Sequence, residues 1–468
     1  MAVGNPKESF GAVFSAEKKE VLVRVAFSTV SSERACEELC ASSTDFDAVQ
    51  ENAYAIWRDR LFAIEIDTDD ENLKTKFYSN LYHSLLKPSD MTGESILGVK
   101  NDTVSELATF WDQYKTALPL IYLLDADMGA RIVRAIANIS RTLKKIPCSF
   151  GLTNIFPTEE QAKMLGIITL CDAYYMGIAD ATPALIEECT RTELARKDYH
   201  TFLENGLFER YTHILDAVDA CADVAAITKD TAFKEELSRL ADFMEKAYAK
   251  DGLLSDESEY YEGDRYTYSF RLHKDMEKRI ALAGGKENFA HMLDSFFGFD
   301  GESVEQLTHL GAYHEINEKR YHRFEGFNNE CDMETPYAYI FADRHDRLSE
   351  IINEQVHRSF GLGQSALPGN NDSGGLSSCF VFSALGIFPA AGTGEFLLGC
   401  PQVNGAKIKL SNGNTLEITV KGERTVGRCR YVDQVELDGR RITDFRIPTT
   451  RLMQGGTLTF FIHTESSF

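Results

Sequence analysis

The spacing of apolar residues divides the chain into three regimes. Between residues 11 and 30 apolar and polar positions alternate, with Val21, Val23, Val25 and Phe27 on one side, which is the two-residue period of strands. These strands are too few to enclose a core, so residues 1–33 are expected to be the end of an N-terminal β-sandwich. From about residue 34 the period becomes helical. Leu73, Phe77, Leu81 and Leu85 recur every fourth residue, and Pro88 ends the run. Similar stretches at 46–60, 113–123, 127–144, 158–177, 182–191, 206–227, 231–249, 272–282, 286–297, 335–344, 347–359 and 375–386 make about a dozen helices with no strands between them. A dozen helices is the complement of an (α/α)6 toroid, expected here over 34–390. Beyond Pro389 alternation returns: Ala406, Ile408 and Leu410, a turn at Asn412-Gly413-Asn414, then Leu416, Ile418 and Val420. With strands near 433–438 and 457–463, this predicts a small C-terminal β module over 391–468. The expected class is mainly α with flanking β.

Charge narrows the partners. A net charge of -23 repels phosphate, which excludes nucleic acid and anionic membrane and favours a neutral substrate or a cation. No apolar run is long enough to span a bilayer, and the first residues carry neither a basic nor an apolar leader pattern. The 10 cysteines are scattered through apolar patterns without a CxxC pair, as in a reduced compartment, so a cytoplasmic location is expected.

Four stretches carry candidate chemistry. In Leu367 to Gly375, Pro368 and the glycines force a turn that holds Asn370, Asn371 and Asp372 ahead of the apolar run Cys379 to Pro389. Alone, such a turn serves equally as a helix cap. In Tyr260 to Tyr268, aromatic residues surround Glu262 and Gly263. Rings beside an acid suit a sugar site, because pyranose faces stack on them and an apolar wall raises an acid's pKa towards that of a proton donor; a tyrosine-rich core edge reads the same way. Trp111-Asp112 follows Thr109-Phe110, and Trp111 is equally at home in a core. In Gly326 to Tyr337, the acids Glu330, Asp332 and Glu334 suit either a helix N-terminus or a hard cation.

Taken together, these motifs resemble glycoside hydrolase family 92, the calcium-dependent exo-acting α-mannosidases, from about residue 10 to 463. The family's Pro-Gly-(Asn/Asp)-x-Asp-x-Gly run is similar to Pro368 onward through Pro389, and its Glu-Gly-x-x-Trp-Gln-Tyr motif to Glu262 through Tyr268 and on to Asp275. Its Gly-Asn-Glu-Pro-Ser motif is similar to the segment around Asn329 and Glu330, and its Trp-Asp-Thr to Trp111-Asp112. Gly399-Cys400-Pro401 and Gly455-Gly456-Thr457-Leu458 match its C-terminal signatures. This chain departs from the family at Tyr266-Thr267, at Cys331-Asp332, at Met333 and at Cys379.

The resemblance implies an inverting exo-α-mannosidase that removes mannose, most simply α-1,2-linked, from mannose-containing oligosaccharides. It implies Glu262 as general acid, Asp372 as general base and Asn370 where many members have an assisting Asp. Trp111, Asp112, Tyr266, Asn329 and Glu330 are implied to bind substrate, and Ca2+ to be the cofactor, with Asp332 and Glu334 as candidate ligands. A separate chain carrying the rest of the N-terminal domain is an expected partner. The alternatives are an inactive or partner-dependent glycan-binding protein on the same fold, and a glycoside phosphorylase on a similar toroid.

Overall fold

The computed structural model describes residues 21–96, 99–100, 104–149, 161–196, 199–242, 244–299, 312–316, 319–323, 329–423 and 428–464. The chain divides into two compact units, Met1–Arg58 and Asp59–Phe468.

In the first unit the expected strands are not found among the described residues. Residues 21–28 form no strand, and Val21, Leu22, Val23, Val25 and Phe27 are exposed. Alternation makes a strand only when a neighbour supplies backbone partners, and no ladder is present for these residues. Residues 11–20 lie outside the described residues. Two helices follow, Ser32–Ala41 and Phe46–Leu61, without a buried residue in either.

The second unit is built mainly of helices, each begun by a local signal. Asp70 caps Glu71–Ser84 by accepting from the backbone N–H groups of Asn72 and Leu73, and that helix buries Leu73, Phe77 and Leu81. Asp125 caps Ala126–Leu143 in the same way at Met128, and Ile132, Val133, Ile136 and Ile139 form its inner face. At the centre lies Gly375–Leu385, buried along its whole length and packed against Glu71–Ser84. A helix apolar on every side belongs in the middle of a core, which fits the uninterrupted run read in the sequence. Two expectations are corrected in this region. Short strands do lie between the helices, including the hairpin Ala312–Ile316 with Lys319–Arg323. The 335–344 stretch forms a 3-10 helix, Thr335–Ala342.

The C-terminal strands form at Glu395–Leu398, Gly405–Lys409, Thr415–Gly422, Tyr431–Leu437 and Gly456–His463, close to the alternating stretches. They do not make a separate module bounded at 391. The outer strand of the six-stranded sheet is Ile64–Asp67, from the helical region, paired antiparallel with Gly405–Lys409 from Ile64↔Ile408 to Asp67↔Gly405. The reason is topological: one sheet draws strands from both ends of Asp59–Phe468, so 390/391 does not separate its strands from the helices.

One buried acid ties helix to sheet. Asp172, in the helix Leu165–Tyr175, accepts from the Gly392 N–H at 3.0 Å, and burial pushes its carboxyl up to about 7. The folded protein therefore holds a proton that the unfolded chain releases. This stabilisation is complete below the ordinary Asp pKa and is lost as pH rises through about 7. Asp172→Asn keeps the acceptor without the charge, so it is expected to raise the melting temperature at pH 8 and leave it nearly unchanged at pH 4. The gain at pH 8 should be on the order of a few kcal/mol at most. Equal effects at both pH values in thermal denaturation would contradict this assignment.

Candidate active site

Three separate segments close around Gly375, at the start of the central helix. A side-chain carbon at Gly375 would lie 2.5 Å from the Asp112 backbone oxygen, 3.2 Å from Glu330 Oε1 and 3.4 Å from Met333 Cε. Only a residue without a side chain lets the turn Phe110–Gln113 and the 3-10 turn Glu330–Asp332 approach the helix so closely. The loop of Glu262 is stitched to the same place: its backbone oxygen accepts from Asn329 Nδ2 at 3.4 Å and from Cys331 Sγ at 3.6 Å. Asn329 also caps the 3-10 turn, its Oδ1 accepting from the Glu330 N–H at 2.8 Å. Asp372 opens the turn leading into the central helix. Both Glu262 (φ 52) and Asp372 (φ 37) sit in left-handed backbone, an uncommon conformation for residues with side chains.

The result is a group of four carboxylates, in which the charges of the others help to raise Asp112, Glu330 and Asp372. Glu330 is buried, and its carboxyl is driven far above the ordinary range, first by desolvation and then by Asp112 and Asp372. Asp112 is pushed up to about 8 by desolvation and by the charges of Asp372 and Glu262, with Lys87 opposing. Asp372 is raised by partial desolvation and by Glu262, again against Lys87, although its side chain is exposed to solvent. Glu262 is exposed as well. Two acids are therefore exposed, Asp112 is half-buried and Glu330 is buried. Glu330 Oε1 is buried without a hydrogen-bond partner among the described residues. A proton or a cation relieves the repulsion in such a group equally well.

Below the acids lies an aromatic and ionic layer. Trp111 is buried and stacks with His213 (ring centroids 4.6 Å) and Tyr268 (6.0 Å), with Tyr261 edge-on at 5.6 Å. The Lys115 ammonium meets Glu334 at 3.0 Å, and Arg271 lies 4.0 Å from the same carboxylate while also pairing with Asp216. Asp216 accepts from the Tyr114 hydroxyl at 2.9 Å. Burial, with Arg271 and Lys115 nearby, drives His213 down to about 3, so its ring is neutral; its Nε2–H donates to the Gln161 carbonyl at 2.9 Å.

Trp111 is buried and stacks with His213 and Tyr268, so its ring is enclosed rather than open to solvent. Tyr266 turns away to stack on Phe296 at 5.9 Å. Asn370 is exposed, and its neighbour Asn371 holds the turn by accepting from the Ser377 N–H at 3.1 Å. Asp275 caps the helix Met276–Leu282. Of the two candidate calcium ligands, Glu334 is committed to Lys115 and Asp332 is fully buried. Among the described residues no three His, Cys, Asp or Glu side chains converge closely enough to hold a metal by themselves. Glu330 Oε1, beside Asp112 and without a hydrogen-bond partner among the described residues, fits a cation. Residues 326–328 of the fourth motif lie outside the described residues.

Sequence reading did not single out Lys87, Lys115, His213, Asp216 or Arg271. Lys115 and Arg271 carry no local signal, because polar residues surround both in the sequence and only acids from distant segments meet them.

The comparisons agree with one another. An uncharacterized secreted glycosidase of Arthroderma benhamiae is 22% identical over 503 residues, an alignment covering 96% of this chain and 61% of that protein. This chain thus spans less than two thirds of that relative. Among solved structures, the family 92 α-mannosidase BT3965 of Bacteroides thetaiotaomicron, in complex with mannoimidazole, superposes with a TM-score of 0.78 at 19% identity, over 94% of this chain and 62% of that one. The inverting mannosidase BT2199 of the same species gives 0.76 at 19% identity, over 94% and 66%. At such identities the likeness speaks for the fold. The profile of the glycosyl hydrolase family 92 catalytic domain matches residues 33–214 and 224–464, nearly the whole length, and the chain accordingly belongs to glycosyl hydrolase family 92.

Proposed function

We propose that this chain is an inverting exo-α-mannosidase, acting most simply on α-1,2-linked mannose at the end of an oligosaccharide and built on an (α/α)6 toroid. The observation that carries the reading is the division of the four carboxylates into an exposed pair, Glu262 and Asp372, and a sunken pair, the half-buried Asp112 and the buried Glu330. An inverting glycosidase needs an acid that reaches the leaving oxygen and a base that reaches water, and both atoms enter from solvent. Glu262 suits the first role and Asp372 the second. The sunken pair suits the sugar itself: protonated carboxyls donate to hydroxyl oxygens and accept from hydroxyl protons. The solved relatives are described as α-mannosidase and inverting mannosidase, and the proposal carries that chemistry to this chain.

In the proposed reaction Glu262 gives its proton to the glycosidic oxygen as that bond breaks. Asp372 takes a proton from the water that attacks the opposite face of the sugar. Asp112 and Glu330 hold the terminal mannose, and Asn329 fixes the Glu262 and Glu330 loops relative to each other. Glu330 and Asp112 would hold Ca2+, which supplies a hard positive centre for sugar hydroxyls when bound.

The test is proton NMR of the first sugar released from an aryl α-mannoside. The β anomer is expected first; the α anomer first would overturn inversion, and release only on addition of phosphate would select a phosphorylase. The assay is repeated in excess chelator and after restoring Ca2+. Loss and recovery of turnover are expected, and full turnover in chelator would show that protons alone relieve the sunken pair.

A further inference from the structure

The 3-10 helix Thr335–Ala342 begins directly after Glu334, beside the acids, and its other end lines a second cavity. Ile340 and Phe341 form one wall of this space of about 820 Å3, facing the helix Met276–Leu282 and the segment 443–446. The volume lies in the range of small-molecule and oligosaccharide sites. Nothing in the proposed hydrolysis uses it.

Its lining has two properties that define a ligand. The first is a pair of half-exposed rings, Phe341 and Phe445. Phe445 is held at φ 55, a left-handed conformation that a bulky residue adopts only where its surroundings impose it. Those surroundings are specific. The Phe445 carbonyl accepts from the Leu398 N–H at 2.8 Å, and the ring lies on His345 with centroids 4.2 Å apart. His345 in turn donates from Nε2 to the Leu398 carbonyl at 2.9 Å. Burial pushes His345 down to about 4, so the stacking partner is neutral over the ordinary pH range. The fold thus holds an apolar face at the cavity against a backbone preference.

The second property is a charged rim in which each basic side chain already has an acidic partner, while Asp275 and Glu277 add two further carboxylates without an ion pair among the described residues. Lys286 pairs with Asp343 at 2.5 Å. Arg446 meets Asp444 at 3.4 Å and Glu395 at 3.5 Å and lies over the Phe341 ring. Lys274 pairs with Asp223. An anionic ligand would have to displace these acids and would meet Asp275 and Glu277 as well, whereas a neutral polyhydroxyl ligand hydrogen-bonds to carboxylates and guanidinium while leaving the pairs together. Its C–H faces would cover the rings.

We propose that this cavity is a second carbohydrate site, binding a neutral oligosaccharide through Phe341, Phe445, Asp444 and Arg446, apart from the four carboxylates. The inference does not rest on the mannosidase reading. It is tested by hydrogen exchange on the whole chain with mannotetraose, cellotetraose and maltotetraose, each at about millimolar concentration, and with a sulfated heparin tetrasaccharide as the anionic comparator.

At least one neutral sugar is expected to slow exchange at least twofold in 276–282 and 443–449. The protection should persist in Asp372→Ala and be lost in both Phe341→Ala and Asp444→Ala, with their melting temperatures unchanged. Phe341→Ala should hydrolyse a small aryl mannoside at the parent rate. Protection confined to segments around 112, 330 and 372, protection by the heparin fragment in place of the neutral sugars, protection that survives both cavity variants, or no protection by any sugar would each overturn the proposal. Hydrolysis is read separately, so a chain that binds at this cavity without turnover would count against the proposed function and for the second site.

Discussion

Glu262→Gln is expected to lower turnover of a mannobiose roughly a hundredfold to ten-thousandfold while lowering turnover of a dinitrophenyl mannoside by less than about tenfold. The asymmetry follows from the role assigned to this side chain. A sugar alkoxide leaves only if it is protonated as the bond breaks, whereas a dinitrophenolate is stable enough to leave without help. Glutamine keeps the volume and removes the proton. Because the Glu262 side chain is exposed, and its loop is held through the backbone oxygen by Asn329 and Cys331, the substitution leaves those contacts in place. Measured kcat on the two substrates decides the matter, since equal losses would remove Glu262 from the proton-donor role. Activity of the variant on the aryl substrate would also show that Asp372 still delivers water.

The second large effect is expected at Gly375. An alanine methyl there would collide with the Asp112 carbonyl at 2.5 Å and press on Glu330 Oε1 at 3.2 Å. The first contact is with backbone, which cannot swing aside, so the turn carrying Asp112 must retreat from the helix. Overpacking of this kind costs about 1–3 kcal/mol. The functional loss should be larger than the stability loss: a shift of about 1 Å in a sugar-holding carboxylate is enough for roughly a hundredfold in rate. Gly361→Ala is the comparison, because its nearest neighbour would be at an ordinary 3.6 Å. Thermal denaturation and kcat/KM on both variants check this. A Gly375→Ala protein with parent activity would mean that the Asp112 turn does not need its present closeness to the helix.

The stretches legible beforehand were those where a local pattern determines a local outcome. The buried central helix was readable because an apolar run between a glycine-rich turn and Pro389 has one stable environment. The four acids were readable through motifs, since each motif carries its own turn. What could not be read is what lies opposite each segment. Lys115 and Arg271 look like surface charges until Glu334 and Asp216 are brought beside them from distant parts of the chain. Trp111 and Tyr266 were aromatic residues in the right motifs, but only packing decides which rings are covered, and it enclosed Trp111 and turned Tyr266 towards Phe296. The strand Ile64–Asp67 is too short for its alternation to stand out, and its partner lies at the other end of the unit.

That strand has a consequence for how this architecture can be cut and recombined. Gly405–Lys409 pairs with Thr415–Gly422 on one side and Ile64–Asp67 on the other, so a fragment starting after residue 67 would carry an open strand edge ready to pair with another copy. The C-terminal strands are therefore not a cassette that recombination can exchange by a single crossover near residue 390. A donor sheet would arrive without its outermost strand and would have to accept that of the host, matched residue for residue from Ile64 to Asp67. Inheritance of this unit, and any chimera made from it, is constrained to keep both ends together.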